Sequence, residues 1–321
     1  MQRAVLVGDV GGTNVRFAIA CEENGRICTD HFSKLAGDDY DAFDRALSDY
    51  LDETNVDVSH ACFAMAGPVD DGEVLLTNRQ WKVSEQQLRQ RFGFDNVCLI
   101  NDFTAMARSV PEHDTSSFDV VLEGTPHEDR PVLVAGPGTG FGVATLLPLG
   151  GRHWKVISGE GGHIAFAPRE PLEFELAQNL MRKHGYVSNE LVASGMGLDA
   201  VHEAFCEIFG RSLEDISPQE MRQRADKGDE MYDKLIGLRA NAVMGAAGDL
   251  VLANGALGGV VLAGGVSGRI LDYLKRPDAV ARFRERGPMS AYLADCPVHL
   301  MDDPEAPLIG AAAYYTQESQ G

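Results

Sequence analysis

A strand, a glycine-rich turn and a second strand, used twice, narrows the possible folds of this chain more than any other feature. The first use is Leu6-Val7-Gly8-Asp9-Val10-Gly11-Gly12-Thr13-Asn14-Val15-Arg16-Phe17. The second is residues 131–135, the turn Gly136-Pro137-Gly138-Thr139-Gly140, and residues 141–147. Hairpins between apolar strands often take glycine, because positive φ is nearly free only there. These turns carry more than glycine. Asp9 stands at the end of the first strand, and a threonine, Thr13 or Thr139, follows glycine in each turn. Bare backbone N–H groups and a hydroxyl can cradle anionic oxygens, and a carboxylate can hold Mg²⁺ through water. Plain hairpin turns and anion-binding turns are both open readings of Gly8–Thr13 and Gly136–Gly140. The established nucleotide loops are excluded. GxxxxGK[ST] is absent, and Phe141 stands where GxGxxG needs its third glycine.

Around these turns the first third alternates short apolar strands with helical patterns. Residues 4–8, 15–21, 27–32, 61–66 and 97–100 read as strands. Helices are expected over 40–51, with Phe43, Ala46, Leu47 and Leu51 on one face, and near 85–91. That order predicts a mixed sheet with helices on its faces. Residues 109–130 turn polar and irregular, a candidate lobe boundary. Residues 171–254 read as mainly helical, with an Ala-rich pattern over 231–253. A strand over 258–263 stops at Gly264-Gly265, a helix starts near Ser267, and another covers 306–317. A strand-to-helix turn explains Gly264-Gly265 as well as close passage of a flat ligand does.

Three further segments carry candidate chemistry. Asn101-Asp102 ends an apolar strand where a helix begins, so either residue could be a helix cap. A carboxylate at the carboxyl end of a strand is also where open α/β sheets bind ligands. Ser158-Gly159-Glu160-Gly161-Gly162-His163 sets an acid and an imidazole among glycines, which are poor core material. Such a pair suits hydrogen bonding to hydroxyl groups. Glu190 has a weaker claim and reads equally as an exposed helix acid.

Composition trims the alternatives. A length of 321 residues suits two lobes better than one core. The net charge of −20 argues against nucleic acid as a partner. No apolar run suggests a bilayer span, and the short apolar start at residues 4–7 breaks too soon for a signal peptide, so a cytoplasmic location is expected. The six cysteines show no CxxC spacing and read as buried free thiols, without a zinc site.

Together these segments resemble the bacterial glucokinases of the actin/hexokinase/Hsp70 ATPase superfamily, along essentially the whole chain. Residues 9–14 are similar to that superfamily's first phosphate motif, 136–142 to the second, and 258–266 to its adenosine motif. Residues 101–105 and 159–163 are similar to the glucokinase sugar-site motifs. The resemblance implies an α/β, two-lobed actin-like ATPase fold of ribonuclease H type, with mixed sheets flanked by helices and a cleft between lobes. It implies a small domain over 1–110, completed by the C-terminal helix 303–321, and a large domain over 111–302. It implies transfer of the ATP γ-phosphoryl group to the 6-hydroxyl of D-glucose, in a homodimer. Asp102 would be the general base, with Asn101, Glu160, His163 and Glu190 on the other hydroxyls. Asp9 would act on Mg²⁺, while Gly8, Val10, Gly11, Gly12, Thr13, Gly136, Gly138, Thr139 and Gly140 would line the phosphates. Gly264 and Gly265 would lie beside the adenosine. The zinc-binding cysteines of the related repressor and kinase group are missing after His163, where Ile164-Ala165-Phe166-Ala167-Pro168 follows. Another hexose as acceptor, or a sugar-sensing protein without turnover, remain the alternatives.

Overall fold

The computed structural model describes residues 4–76 and 79–319, so Met1–Arg3, the expected approach to the first strand, and the last two residues of the expected C-terminal segment lie outside the described residues. The chain divides into two compact units. The first comprises residues 1–117, 148–158 and 303–321. Its strands are β1 (Val5–Val10), β2 (Asn14–Glu23), β3 (Arg26–Ala36), β4 (His60–Met65), β5 (Glu73–Leu76), β6 (Trp81–Ser84) and β7 (Asn96–Asn101). Five of them form one sheet in the order β3-β2-β1-β4-β7, and β5 pairs with β6 separately. Within it β1 runs antiparallel to β2 but parallel to β4, which in turn runs parallel to β7.

Alternation along β1 explains how this sheet is covered on both faces. Leu6 and Val10 point into one core with Phe17, Phe43, Leu47 and Phe63. Val5 and Val7 point the other way, onto Leu308, Ala311, Ala312 and Tyr315 of the helix Ala306–Glu318. Gly310 of that helix is obligatory, because a Cβ there would overlap the Ala105 carbonyl of the helix Asp102–Ser109.

The second unit comprises residues 118–147 and 159–302. The six-stranded sheet uses β8 (Asp119–Leu122), β9 (Val132–Pro137), β10 (Phe141–Gly150), β11 (His153–Gly159), β12 (Gly259–Leu262) and β13 (Val298–Leu300), of which the end of β10 and all of β11 but Gly159 belong to the residues grouped with the first unit. The order is β11-β10-β9-β12-β13-β8. Here β9 is antiparallel to β10 and parallel to β12, which is parallel to β13. The first five positions repeat the strand order of the other sheet, so the repeated turn belongs to a repeated topology.

The helix Glu230–Asn254 is the centre of this unit. Asp229 caps it by accepting the Met231 N–H at 3.0 Å, and Gly255 ends it with φ +64°. Its length and apolar composition would allow it to cross a bilayer, contrary to the reading of apolar runs above, yet 83% of its apolar window is buried within the protein. A helix apolar all round is a core helix when protein covers every side.

Three other expectations need correction. The irregular stretch 109–130 contains β8, a four-residue edge strand with two exposed residues. The β5–β6 hairpin and β11 were also missed; β11 is largely exposed and carries no burial signature. The cysteines are all free, but only Cys62, Cys206 and Cys296 are buried, and Cys28 is exposed.

Candidate functional site

In the first unit Asp9 of β1 faces Arg16 of β2 in register and pairs with its guanidinium at 2.8 Å. Burial pushes the Asp9 carboxyl above the ordinary carboxylate range despite that arginine. An acid in this state gains from further positive charge nearby. The turn beyond it is held by its own backbone. Gly11 donates to the Asn14 carbonyl at 3.0 Å, and the Thr13 carbonyl accepts from Gly37 N at 3.0 Å and Arg79 Nη2 at 3.1 Å. Val10 is buried, with its carbonyl bonded to Ala66 N, so only its backbone borders the turn. Thr13 is exposed, as is Thr139 in the second turn.

The glycines separate into two sets. A Cβ at Gly8 would lie 2.7 Å from the Phe63 ring, and one at Gly140 would lie 2.6 Å from Glu190 Oε2. A Cβ at Gly136 would overlap the Ala263 carbonyl, while Gly264 has φ +87° and faces the Pro137 carbonyl. Internal packing accounts for these four. It does not account for Gly11, whose nearest neighbour would be Asn14 O at 3.6 Å, nor for Gly138 and Gly265, which would meet nothing within 4 Å. None of these three has left-handed φ. One glycine in each motif therefore leaves open space that the protein itself does not require.

A cavity of about 380 Å³ lies inside the second unit, lined by Gly195, Leu198, Met221, Leu235, Arg239, Val266 and Ile270 among others. Gly195 N donates to the Gly138 carbonyl at 2.9 Å, and Val266 directly follows Gly265. The cavity thus adjoins both the second glycine turn and the third motif. Sequence reasoning missed it because its wall comes from four separate helices. The one available signal was Arg239, set between Leu238 and Ala240 in an apolar pattern.

The strand β7 delivers Asn101 and Asp102 to the start of the helix Asp102–Ser109. The two candidate caps divide their tasks. Asn101 Oδ1 accepts from Phe103 N at 2.9 Å and Thr104 N at 3.2 Å, and its Nδ2 donates to the Gly67 carbonyl at 3.2 Å. Both lone pairs of Oδ1 are used, leaving Asn101 one amide hydrogen to offer elsewhere. Asp102 is the first helical residue, with Oδ1 accepting its neighbour Phe103 N at 2.8 Å.

In the second unit the turn Gly161–His163 presents Glu160 and His163 to solvent, while the helix Asn189–Ala193 presents Glu190. His163 Nε2 lies 3.7 Å from Glu190 Oε1 and 4.0 Å from Glu160 Oε2. Glu190, the weakest of these candidates by sequence, is the best anchored. Its Oε2 accepts the Phe141 N–H at 2.8 Å, and Ser188 caps its helix through Leu191 N at 3.1 Å. Gly162 lies against Phe141, where a Cβ would overlap the carbonyl.

The sequence matches the glucokinase family over residues 6–318. A glucokinase of Caulobacter sp. (strain K31) is 37% identical over 317 residues, which cover 98% of this chain and 96% of its own. A crystal structure of a glucokinase from an Antarctic psychrotroph gives a TM-score of 0.86 at 34% identity, covering 98% of this chain and 99% of that one. The fold extends further, to a ROK hexokinase from Thermus thermophilus with a TM-score of 0.66 at 20% identity, covering 99% and 100%. These neighbours have the actin-like ATPase fold, and this chain shares it. The chain belongs to the glucokinase family.

Proposed function

We propose that this chain transfers the ATP γ-phosphoryl group to the 6-hydroxyl of D-glucose with Asp102 as general base. Membership of the family supports the reaction, and the division of tasks between Asn101 and Asp102 supports the choice of base. Helix capping falls to Asn101, so Asp102 need not be an acid for the helix to start. A carboxylate accepts the hydroxyl proton as the sugar oxygen attacks the γ-phosphorus, and ADP leaves. Glu160, His163 and Glu190 would orient the other hydroxyls, along with the remaining amide hydrogen of Asn101.

The phosphates would lie against the backbone at Gly11–Thr13 and Gly138–Thr139, where both threonines are exposed. The open space at Gly11, Gly138 and Gly265 is what close approach of a nucleotide to the backbone needs. The nucleoside would fill the cavity beside Gly195 and Val266. Asp9, whose ionised form is disfavoured by burial, fits a site for Mg²⁺ held through water. Such an ion offsets phosphate charge as it builds up. A cytoplasmic homodimer completes the reading on family resemblance alone, and light scattering at twice the chain mass checks the dimer.

A coupled assay with ATP and a panel of hexoses tests the assignment. Glucose should give the highest kcat/KM. Preference for mannose, fructose or an N-acetylated sugar would replace the acceptor, and binding without turnover would replace the enzyme with a sensor.

A further inference from the structure

The long helix Glu230–Asn254 carries an arginine in its apolar middle. Arg239 is only 5% exposed, yet it lines the cavity beside Gly195. Its Nε donates to the Val192 carbonyl at 3.3 Å, and its Nη2 donates to the carbonyls of Ala193 at 2.9 Å and Ser194 at 2.8 Å. These acceptors sit at the carboxyl end of the helix Asn189–Ala193, where backbone carbonyls lack partners within the helix. Its Nη1 donates to no atom of the described residues. No carboxylate among the described residues offsets the charge either: burial alone drives the guanidinium pKa down to about 10. Three carbonyl dipoles compensate part of the cost of removing this cation from water. One nitrogen of the fork remains, on a side chain that forms the cavity wall.

The rest of that wall selects among ligands. Its apolar part, Leu198, Met221, Leu235, Val266 and Ile270, suits the faces of a flat ring, while Arg222, held by Asp226 and Asp272, and Arg269 stand at its polar part. On the reading proposed above the phosphates lie at Gly138, whose carbonyl accepts from Gly195 N of the cavity wall. A heterocycle or ribose seated here would offer neutral acceptor atoms and no charge. We propose that Arg239 Nη1 donates a hydrogen bond to an acceptor of the bound nucleoside and so sets the preference of this kinase for a nucleotide over a bare polyphosphate. The inference rests on the reading that the cavity takes the nucleoside.

The competing role is structural, since Arg239 also clamps the helix that carries Glu190. The two roles move different constants. In the full-length enzyme, Arg239→Met should weaken ATP binding by about tenfold or more, the scale for a hydrogen bond to a charged group. Binding of tripolyphosphate, which lacks the nucleoside, should change less than twofold. Arg239→Lys keeps the charge but not the fork, and should lose discrimination between ATP and tripolyphosphate in the same direction. It supplies the comparison if the methionine variant does not fold. Equal weakening of both ligands, or a rise in glucose KM without a change in ATP affinity, would leave only the clamp. Photolabelling of the wild-type enzyme with 8-azido-ATP tests the underlying reading separately. Labels on peptides containing Met221 or Ile270 uphold the cavity as the nucleoside site. Labels confined elsewhere overturn that reading and the inference together, whatever the variants do.

Discussion

Glu190 Oε2 accepts the Phe141 backbone N–H at 2.8 Å, so the best-anchored of the candidate acids is fastened to the end of the second glycine turn. Gly140 lies directly beneath it. One glycine of this turn therefore serves a carboxylate, while its neighbour Gly138 borders open space.

Alanine scanning of the turn should split accordingly. Gly140→Ala places a Cβ against Glu190 and should raise glucose KM several-fold, with a smaller effect on ATP KM. Gly138→Ala should do the reverse. Because Gly138 has no left-handed φ and a Cβ there meets nothing within 4 Å, its alanine variant should also match or exceed wild-type stability by about 0.4–1 kcal/mol. Steady-state kinetics with each substrate varied, plus urea melts, check both. A large ATP KM effect at Gly140 would return that glycine to the phosphate site.

Asp102→Asn should keep the fold and the glucose affinity while lowering kcat by about 10²–10⁴-fold. Glucose binding by calorimetry and single-turnover phosphoryl transfer separate the two quantities. Retention of more than a tenth of the chemical rate would remove Asp102 from the role of base.

Asn101 should behave as a cap first. Asn101→Ala removes two bonds to helix N–H groups and should cost about 1 kcal/mol, within the usual range of roughly 0.5–2. Asn101→Asp keeps an accepting oxygen and should restore most of that stability, although it loses the donor to Gly67. If both variants are as stable as wild type, the cap contributes nothing measurable and the amide is there for the ligand.

Asp9 makes a prediction of opposite sign to the usual carboxylate. Its folded pKa is raised, so its contribution to stability is fully present below the unfolded carboxylate pKa, about 3.9, and is lost as pH rises through the folded value. In chelator, Asp9→Asn should be more stable than wild type at pH 7, and the difference should close near pH 3–4. Adding Mg²⁺ and ATP should raise the wild-type melting temperature more than that of the variant. Lower stability of Asp9→Asn at both pH values would mean that Arg16 needs an ionised partner more than the site needs relief from burial.

The fold was legible where its residues speak locally. The apolar alternation of β1 and the Phe43–Leu47 helical face follow directly from side-chain periodicity, and the doubled turn pointed to the doubled strand order. Edge elements such as β8 and β11 were not legible, because strands exposed to solvent carry no burial pattern. At the candidate site, residue type alone left Asn101 and Asp102 interchangeable as caps; only the geometry of β7 entering its helix divides them. Glycines posed the same problem. Gly140 and Gly138 look alike in sequence, and what distinguishes them is a carboxylate 50 residues away in the chain. Arg239 was visible only as an interruption in an apolar helix, since its three carbonyl partners come from another element.

The helix Ala306–Glu318 fills one face of the sheet that begins with β1. During synthesis, Val5, Val7, Cys62 and Ala64 leave the ribosome some 240 or more residues before Leu308 and Tyr315 do. At about 5–20 residues per second that is a delay of roughly 12–50 seconds. The unit made mostly from the start of the chain is therefore the last to close, after the unit inserted within it. Until then that sheet face lacks its C-terminal helix, and apolar side chains that the finished protein buries stay exposed on the nascent chain.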